Sequence, residues 1–141
     1  MSDFLIDTNV ISEFVKVKPE NRVIQWLDAT DSSLLFLSVV TLGELRLGIY
    51  ELPEGKRRRQ LEDWLNEGLP SWFESNLLPV SKAIADRWGR LAAEAKPQGL
   101  HLTTADGQIA ATAKAHDLPL VTRNIKDFAG LGVELLNPWE S

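Results

Sequence analysis

The stretch Phe4-Leu5-Ile6-Asp7-Thr8-Asn9-Val10-Ile11 constrains the fold more than any other, because a short apolar run stops at an acid and the apolar spacing then changes. Phe4 to Ile6 read as a buried strand, whereas Val10, Ile11, Phe14 and Val15 recur at a spacing that suits one face of a helix. Asp7 therefore sits at a strand-to-helix junction, and in open α/β sheets the carboxyl ends of strands are where ligands bind. A carboxylate placed there binds a cation or handles a proton. The bland alternative is that Asp7 or Thr8 merely caps the helix, since Asp, Thr and Asn are all good capping residues.

The same alternation continues along the chain. Val23, Ile24 and Leu27 predict a short helix within 19–30, and Leu34 to Leu37 a buried strand. The segment from Ser38 leads into a helix with Leu42, Leu45 and Ile49 on one side and Glu44 in its first turns. Thr41 and Glu44 have the spacing of a capping box, which would account for the Glu without any chemistry. Gly43, a poor helix former, predicts a close backbone approach. Pro53-Glu54-Gly55 breaks the chain before a helix over 56–68 carrying Leu61, Trp64 and Leu65, which makes a helical hairpin with the preceding segment. Leu77 to Val80 is a third strand, placed at an edge or a strand end by Pro79. Ser81 caps a helix striped with Ile84, Trp88, Leu91, Ala92 and Ala95, and Pro97 and Gly99 end it. Thr104 is the expected N-cap of the next helix, with Asp106 in a first turn where the helix dipole favours an acid. Leu118 to Thr122 and Val133 to Leu136 supply the last two strands. Connections this long are not hairpins, so the expected architecture is α/β: five strands in a central, mainly parallel sheet with helices on both faces.

Composition narrows the functional classes. A chain of 141 residues is the size of one ordinary domain, and residues 1–141 are read as a single unit. Its net charge of -5 argues against coating nucleic acid by bulk attraction. It still permits a nuclease, which needs only a local acidic site and a basic rim for phosphates. Lys56-Arg57-Arg58-Arg59 is a candidate rim, although a solvated helix start explains such a run better. The absence of Cys leaves oxygen or His as the available metal ligands, and neither His101 nor His116 has a partner His or lies in an acidic motif. No run approaches the roughly 20 apolar residues that span a bilayer, so a soluble, cytoplasmic protein without a membrane role is expected.

The acids then group. Asp7 follows the first strand, Glu44 the second, Asp106 opens the helix before the fourth, and Asn124 with Asp127 follows the fourth. All fall at or near one edge of the expected sheet. Carboxylates converging without Lys or Arg among them repel one another at neutral pH, and a divalent cation resolves the conflict. Oxygen ligands of this kind suit Mg²⁺ or Mn²⁺, which activate water and stabilise the charge of an in-line displacement at phosphorus.

Four segments carry a likeness to a known family: Leu5 to Glu13, Ser38 to Arg46, Ala105 to Ala113 and Val121 to Asn124. In order and spacing they resemble the PIN-domain nucleases, and among them the VapC and FitB group of toxin components. The resemblance runs from residue 4 to the Asn137-Pro138-Trp139 tail. It implies a three-layer α/β/α PIN fold and a Mg²⁺- or Mn²⁺-dependent endoribonuclease that cleaves RNA with metal-activated water. It also implies a homodimer that is the toxin of a VapBC-type module, neutralised by a small cognate antitoxin of the VapB or FitA kind. Asp7, Glu44 and Asp106 fall on the family's three best-kept acidic positions. The fourth departs: some relatives have an acid directly after Thr-Arg, where this chain has Asn124. Asp127, three residues on, is the alternative source of that charge. The expected division is one metal held mainly by Asp7 and Asp106, with Glu44 acting through water and Asp127 completing a weaker second site.

Two rivals compete. A receiver domain or aspartyl-phosphate phosphatase also places acids at strand ends, but Asp7-Thr8-Asn9 has no second acid two residues on, and no Lys lies at a late strand end except nearby Lys126. A non-catalytic binding module on the same scaffold would not need all three main acids.

Overall fold

The computed structural model describes residues 3–73 and 75–140. The strands are β1 (Phe4–Ile6), β2 (Leu35–Ser38), β3 (Leu77–Leu78), β4 (Leu120–Val121) and β5 (Leu135–Leu136). They form a five-stranded sheet of order β3-β2-β1-β4-β5 in which every pairing is parallel. Parallel neighbours require crossovers, and helices supply them: α1 (Thr8–Glu13), α2 (Asn21–Ala29), α3 (Val39–Tyr50), α4 (Lys56–Asp63), α5 (Leu69–Trp72), α6 (Lys82–Ala95), α7 (Thr104–Ala115) and α8 (Ile125–Phe128).

Consecutive residues of a strand face opposite sides, and β1 shows this directly. Ile6 packs with Val10, Val23, Leu45 and Leu69 from α1, α2, α3 and α5, whereas Leu5 packs with Ile84, Leu91, Ile109 and Ala110 from α6 and α7. Both residues are fully buried, so β1 lies between two apolar layers and the architecture is the expected three-layer one. The chain steps from β1 outward to β2 on one side and returns to β4 on the other. That reversal beside β1 is the topological switch point, where the carboxyl ends of β1 and β4 open a crevice.

Several local expectations shift. The helix expected over 56–68 does not end at Gly68. It runs on through a π-helical turn, Trp64–Gly68, into α5, where Pro70 lies. A proline cannot donate the backbone N–H that an α-turn requires, and the wider turn places that break just ahead of it. Ser38, rather than Thr41, caps α3 by accepting from the Val40 amide, so the capping-box reading of Thr41 and Glu44 fails. The N-cap of α7 is Thr103, one residue before the expected Thr104.

The close approach expected at Gly43 is found elsewhere. A Cβ at Gly43 would meet nothing within 4 Å, but one at Gly107 would overlap the indole of Trp88, where α7 lies against α6. Opposite outcomes are therefore expected from the same substitution. Gly107→Ala forces a packed ring to move and should cost about 1–3 kcal/mol, whereas Gly43→Ala in an exposed helix interior should add roughly 0.5–1 kcal/mol. Urea unfolding of the two variants checks this, and equal shifts in midpoint would contradict the packing described.

Candidate active site

The switch point places Asp7 first. It directly follows β1, with an extended backbone, and caps α1: its Oδ1 accepts from the Thr8 amide at 2.8 Å. Its Oδ2 accepts from the Thr122 hydroxyl at 2.7 Å and from the Asn9 side-chain amide at 3.4 Å. Thr122, directly after β4 and fully buried, ties the two strand ends together. Its oxygen also accepts from the Asn124 amide at 3.0 Å, and the Asn9 side-chain oxygen accepts from the Arg123 amide at 3.3 Å. Capping and site formation are thus one arrangement rather than alternatives for Asp7.

Glu44 reaches the crevice from α3. Its Oε1 accepts from the Thr8 hydroxyl at 2.6 Å, and that hydroxyl lies 3.1 Å from the Thr41 hydroxyl. Thr8 has one proton and gives it to Glu44 in the shorter contact, which leaves Thr41 as donor in the longer one. The buried Thr41 therefore fixes the hydroxyl that aims Glu44.

Asp106 stands in the first turn of α7, its amide donating to the capping Thr103 hydroxyl at 3.1 Å. Asp127 lies in α8, exposed, and its charge is felt by Asp106. Asn124 occupies the N-cap position of α8 without a side-chain cap bond, also exposed, and only its backbone joins the hydrogen-bonded group around Asp7.

The charges reinforce one another. Burial, first of all, pushes the Asp7 carboxyl up from 3.8 to about 6, against the lowering effect of the Thr122 and Thr8 hydrogen bonds, and the negative charges of Asp106 and Glu44 push in the same direction. Asp106 is raised too, by burial, then Glu44, then Asp127, while Thr103 works the other way. Asp7, Glu44, Asp106 and Asp127 are thus one electrostatic unit in which Lys and Arg cause no part of the shifts.

This donor set fits a hard divalent cation, being all oxygen, negatively charged and short of protein counter-ions. Among the described residues, however, no three acids or histidines stand together as a ready cage. The acids couple through charge rather than contact, which suits an ion such as Mg²⁺ that keeps several of its waters.

The polar residues around the acids separate cleanly. Thr8, Asn9 and Thr122 hold acids, whereas Ser38 spends its hydroxyl on capping α3. Thr41 was hidden by its capping-box spacing. His101 and His116 are exposed. In the run Lys56 to Arg59, Arg57 donates to the Val15 carbonyl and Arg58 pairs with Glu62 at 3.1 Å, so half of it serves the fold.

Comparison with known proteins decides the family. The PIN domain matches residues 4–132. The chain belongs to the PIN-domain family. This PIN-domain chain is 38% identical over 135 residues to Toxin FitB of Neisseria gonorrhoeae, covering 96% of this chain and 97% of that protein. It is 40% identical over 137 residues to VapC ribonuclease Y4jK of Sinorhizobium fredii, with 96% and 97% covered. The crystal structure of FitAcB from Neisseria gonorrhoeae contains a chain that superposes with a TM-score of 0.92 at 38% identity, covering 98% of this chain and 99% of that one. Membership removes the receiver and phosphatase alternative, and with it the reading of Asp7 as a phosphate acceptor.

Proposed function

We propose that this PIN domain, read as one unit over 1–141, is a Mg²⁺- or Mn²⁺-dependent endoribonuclease and the toxin of a two-component toxin-antitoxin module. The observation that carries the reading is the crevice itself: the buried Asp7 carboxylate, raised to about 6, faces the charges of Glu44 and Asp106. Such an arrangement is costly for an isolated domain and becomes favourable when a divalent cation is bound.

Asp7 and Asp106 would hold the metal, with Glu44 acting through a water. When bound, the ion supplies Lewis-acid activation of water and charge stabilisation for displacement at phosphorus. The chain's own residues do the positioning. Thr122 and the Thr8 amide fix both oxygens of Asp7, and Thr41 through Thr8 fixes one oxygen of Glu44. Asp127 would add charge beside Asp106, and Asn124 an amide that can orient water.

The relatives named as toxin and ribonuclease support RNA as substrate, and a toxin-antitoxin complex from Klebsiella pneumoniae with the same fold, 27% identical, supports a small antitoxin as partner. A groove between α1, α3 and α4, lined by Val15, Leu45, Ile49, Leu61 and Trp64, opens beside Thr8 and Glu44 and would receive an antitoxin segment. An antitoxin Arg in the crevice would take the place of a cation. Homodimerisation, and a place in the cytoplasm, belong to the same reading; among the described residues no helix is long and apolar enough to cross a membrane.

Purified protein should cleave single-stranded RNA with Mg²⁺ or Mn²⁺, stop with EDTA, and be silenced by the product of the adjoining reading frame. Cleavage undiminished by EDTA would refute it.

A further inference from the structure

An acidic crevice must receive an anionic substrate, and cations close to it decide where the phosphates go. In the basic run Lys56 to Arg59, Arg57 is tied to the Val15 carbonyl and Arg58 to Glu62, and none of the four lines the cleft beside Asp127. A different pair of cations shares a cleft with Asp127. Arg123, Asn124, Lys126, Asp127, Asn137 and Glu140, with Ile125 among them, line an open cleft of about 440 Å³ at the carboxyl end of β4. Among the described residues neither Arg123 nor Lys126 is committed to a side-chain ion pair, unlike Lys16, Arg22, Arg58 and Arg90.

Arg123 is also held in place from both ends. Its amide donates to Asn9, whose own amide donates to Asp7, so its backbone is fixed one residue from the buried site. Its guanidinium rests over the Trp139 ring, 5.3 Å from the centroid, and Trp139 is packed against the core beneath the sheet. A guanidinium stacked on a fixed ring keeps its in-plane donors free for a phosphate and loses little freedom on binding.

We propose that Arg123 and Lys126 form the phosphate-binding arm of the site, holding a backbone phosphate of single-stranded RNA next to the one cleaved, in the cleft between α8 and the Asn137 to Glu140 segment. The inference rests on the ribonuclease reading. The two acids of the cleft, Asp127 and Glu140, keep it from binding anions indiscriminately, so the phosphate enters only as part of a strand that also reaches the crevice.

The test is cleavage of a mixed-sequence single-stranded RNA with Mg²⁺ over a range of NaCl, for wild type, Arg123→Ala, Arg123→Lys, Lys126→Ala and, as controls, Lys56→Ala and Arg59→Ala. Binding of the same RNA is read by fluorescence anisotropy in an Asp7→Asn background, where it is not consumed. Arg123→Ala should raise KM about tenfold, the loss of one charge-assisted contact, with kcat within about twofold. The slope of log affinity against log salt should fall by about 0.7 for each cation removed, the value for single strands. Arg123→Lys should restore the slope and recover only part of KM, and the two controls should match wild type. A purely structural role would lower thermal stability without changing the salt slope, and that result overturns the inference. So does a defect confined to binding of a co-purifying protein. Wild type that cleaves, beside Arg123 and Lys126 variants with unchanged KM and slope, overturns the inference alone; wild type that cleaves no RNA with either metal overturns the parent reading.

Discussion

Asp7→Asn is expected to abolish RNA cleavage while making the metal-free protein more stable near neutral pH. The second half follows from the sign of the shift. The folded-state value of about 6 exceeds the ordinary 3.8, so between those values the folded protein binds more protons than the unfolded chain. Stability from this group is fully present below about pH 4 and is lost as pH rises through 6. The whole difference is on the order of 3 kcal/mol, and Asn, uncharged, escapes it. Some of that gain is returned, because Thr122 already accepts from Asn124 and Asn9 and would meet the new amide as a crowded acceptor. A net gain of roughly 1–2 kcal/mol, or about 3–6 °C, is expected in EDTA. Asn is as good a cap as Asp, so α1 should survive. Added Mg²⁺ should then raise the melting temperature of wild type and leave the variant nearly unmoved. Thermal unfolding across pH 4 to 8, with EDTA and with Mg²⁺, decides; a variant less stable than wild type in EDTA would mean that Asp7 is structural first.

What could be read from the sequence was whatever announces itself by spacing along the chain. Phe4 to Ile6 had to be a strand because nothing between them interrupts the apolar run, and the change of period at Asp7 placed the acid at its end. Long crossovers between strands pointed to a mainly parallel sheet, and Pro79 left an edge or a strand end open for Leu77 and Leu78, of which the edge is where β3 lies. Contacts between distant segments were not readable. Thr41 and Glu44 mimic a capping box at the right interval, and only the fold shows that Thr41 instead serves Thr8, 33 residues earlier. Gly43 and Gly107 are alike as letters; which one faces Trp88 depends on how α7 meets α6. The end of the helix at Gly68 failed for a related reason: Gly and Pro break an isolated helix, but a π turn absorbs them when Leu65, Leu69 and Phe73 are all buried against the core. Thr122 was one hydroxyl among several near the site, and its importance comes from a partner 115 residues away.

Asp106→Asn and Asp127→Asn should separate holding a metal from tuning it. Asp106 is half-buried, anchored at the start of a 12-residue helix, and raised by Glu44 as well as by Asp127. Losing its charge removes one of the two expected metal-holding carboxylates, and cleavage should fall by on the order of 100-fold or more even at high Mg²⁺. Asp127 is exposed, on a four-residue helix, and acts on Asp106 through water. Between exposed or partly exposed charges such coupling is modest and weakened by salt. Asp127→Asn should therefore raise the Mg²⁺ concentration for half-maximal cleavage by about three- to tenfold at low ionic strength, a loss near 1 kcal/mol of interaction. The effect should shrink as NaCl is added. Rate at saturating Mg²⁺ should be almost unchanged, since on the proposed reading Asp7 and Asp106 would still hold the ion. Asn124→Ala should behave in the opposite way: its amide carries no charge, so the metal midpoint stays and the saturated rate drops through loss of an orienting group. Titrating Mg²⁺ against cleavage rate for the three variants at two salt concentrations separates these outcomes. If Asp127→Asn leaves the midpoint unmoved at low salt, its carboxylate belongs to the α8 turn, and the fourth acidic position of this chain is filled by Asn124 alone.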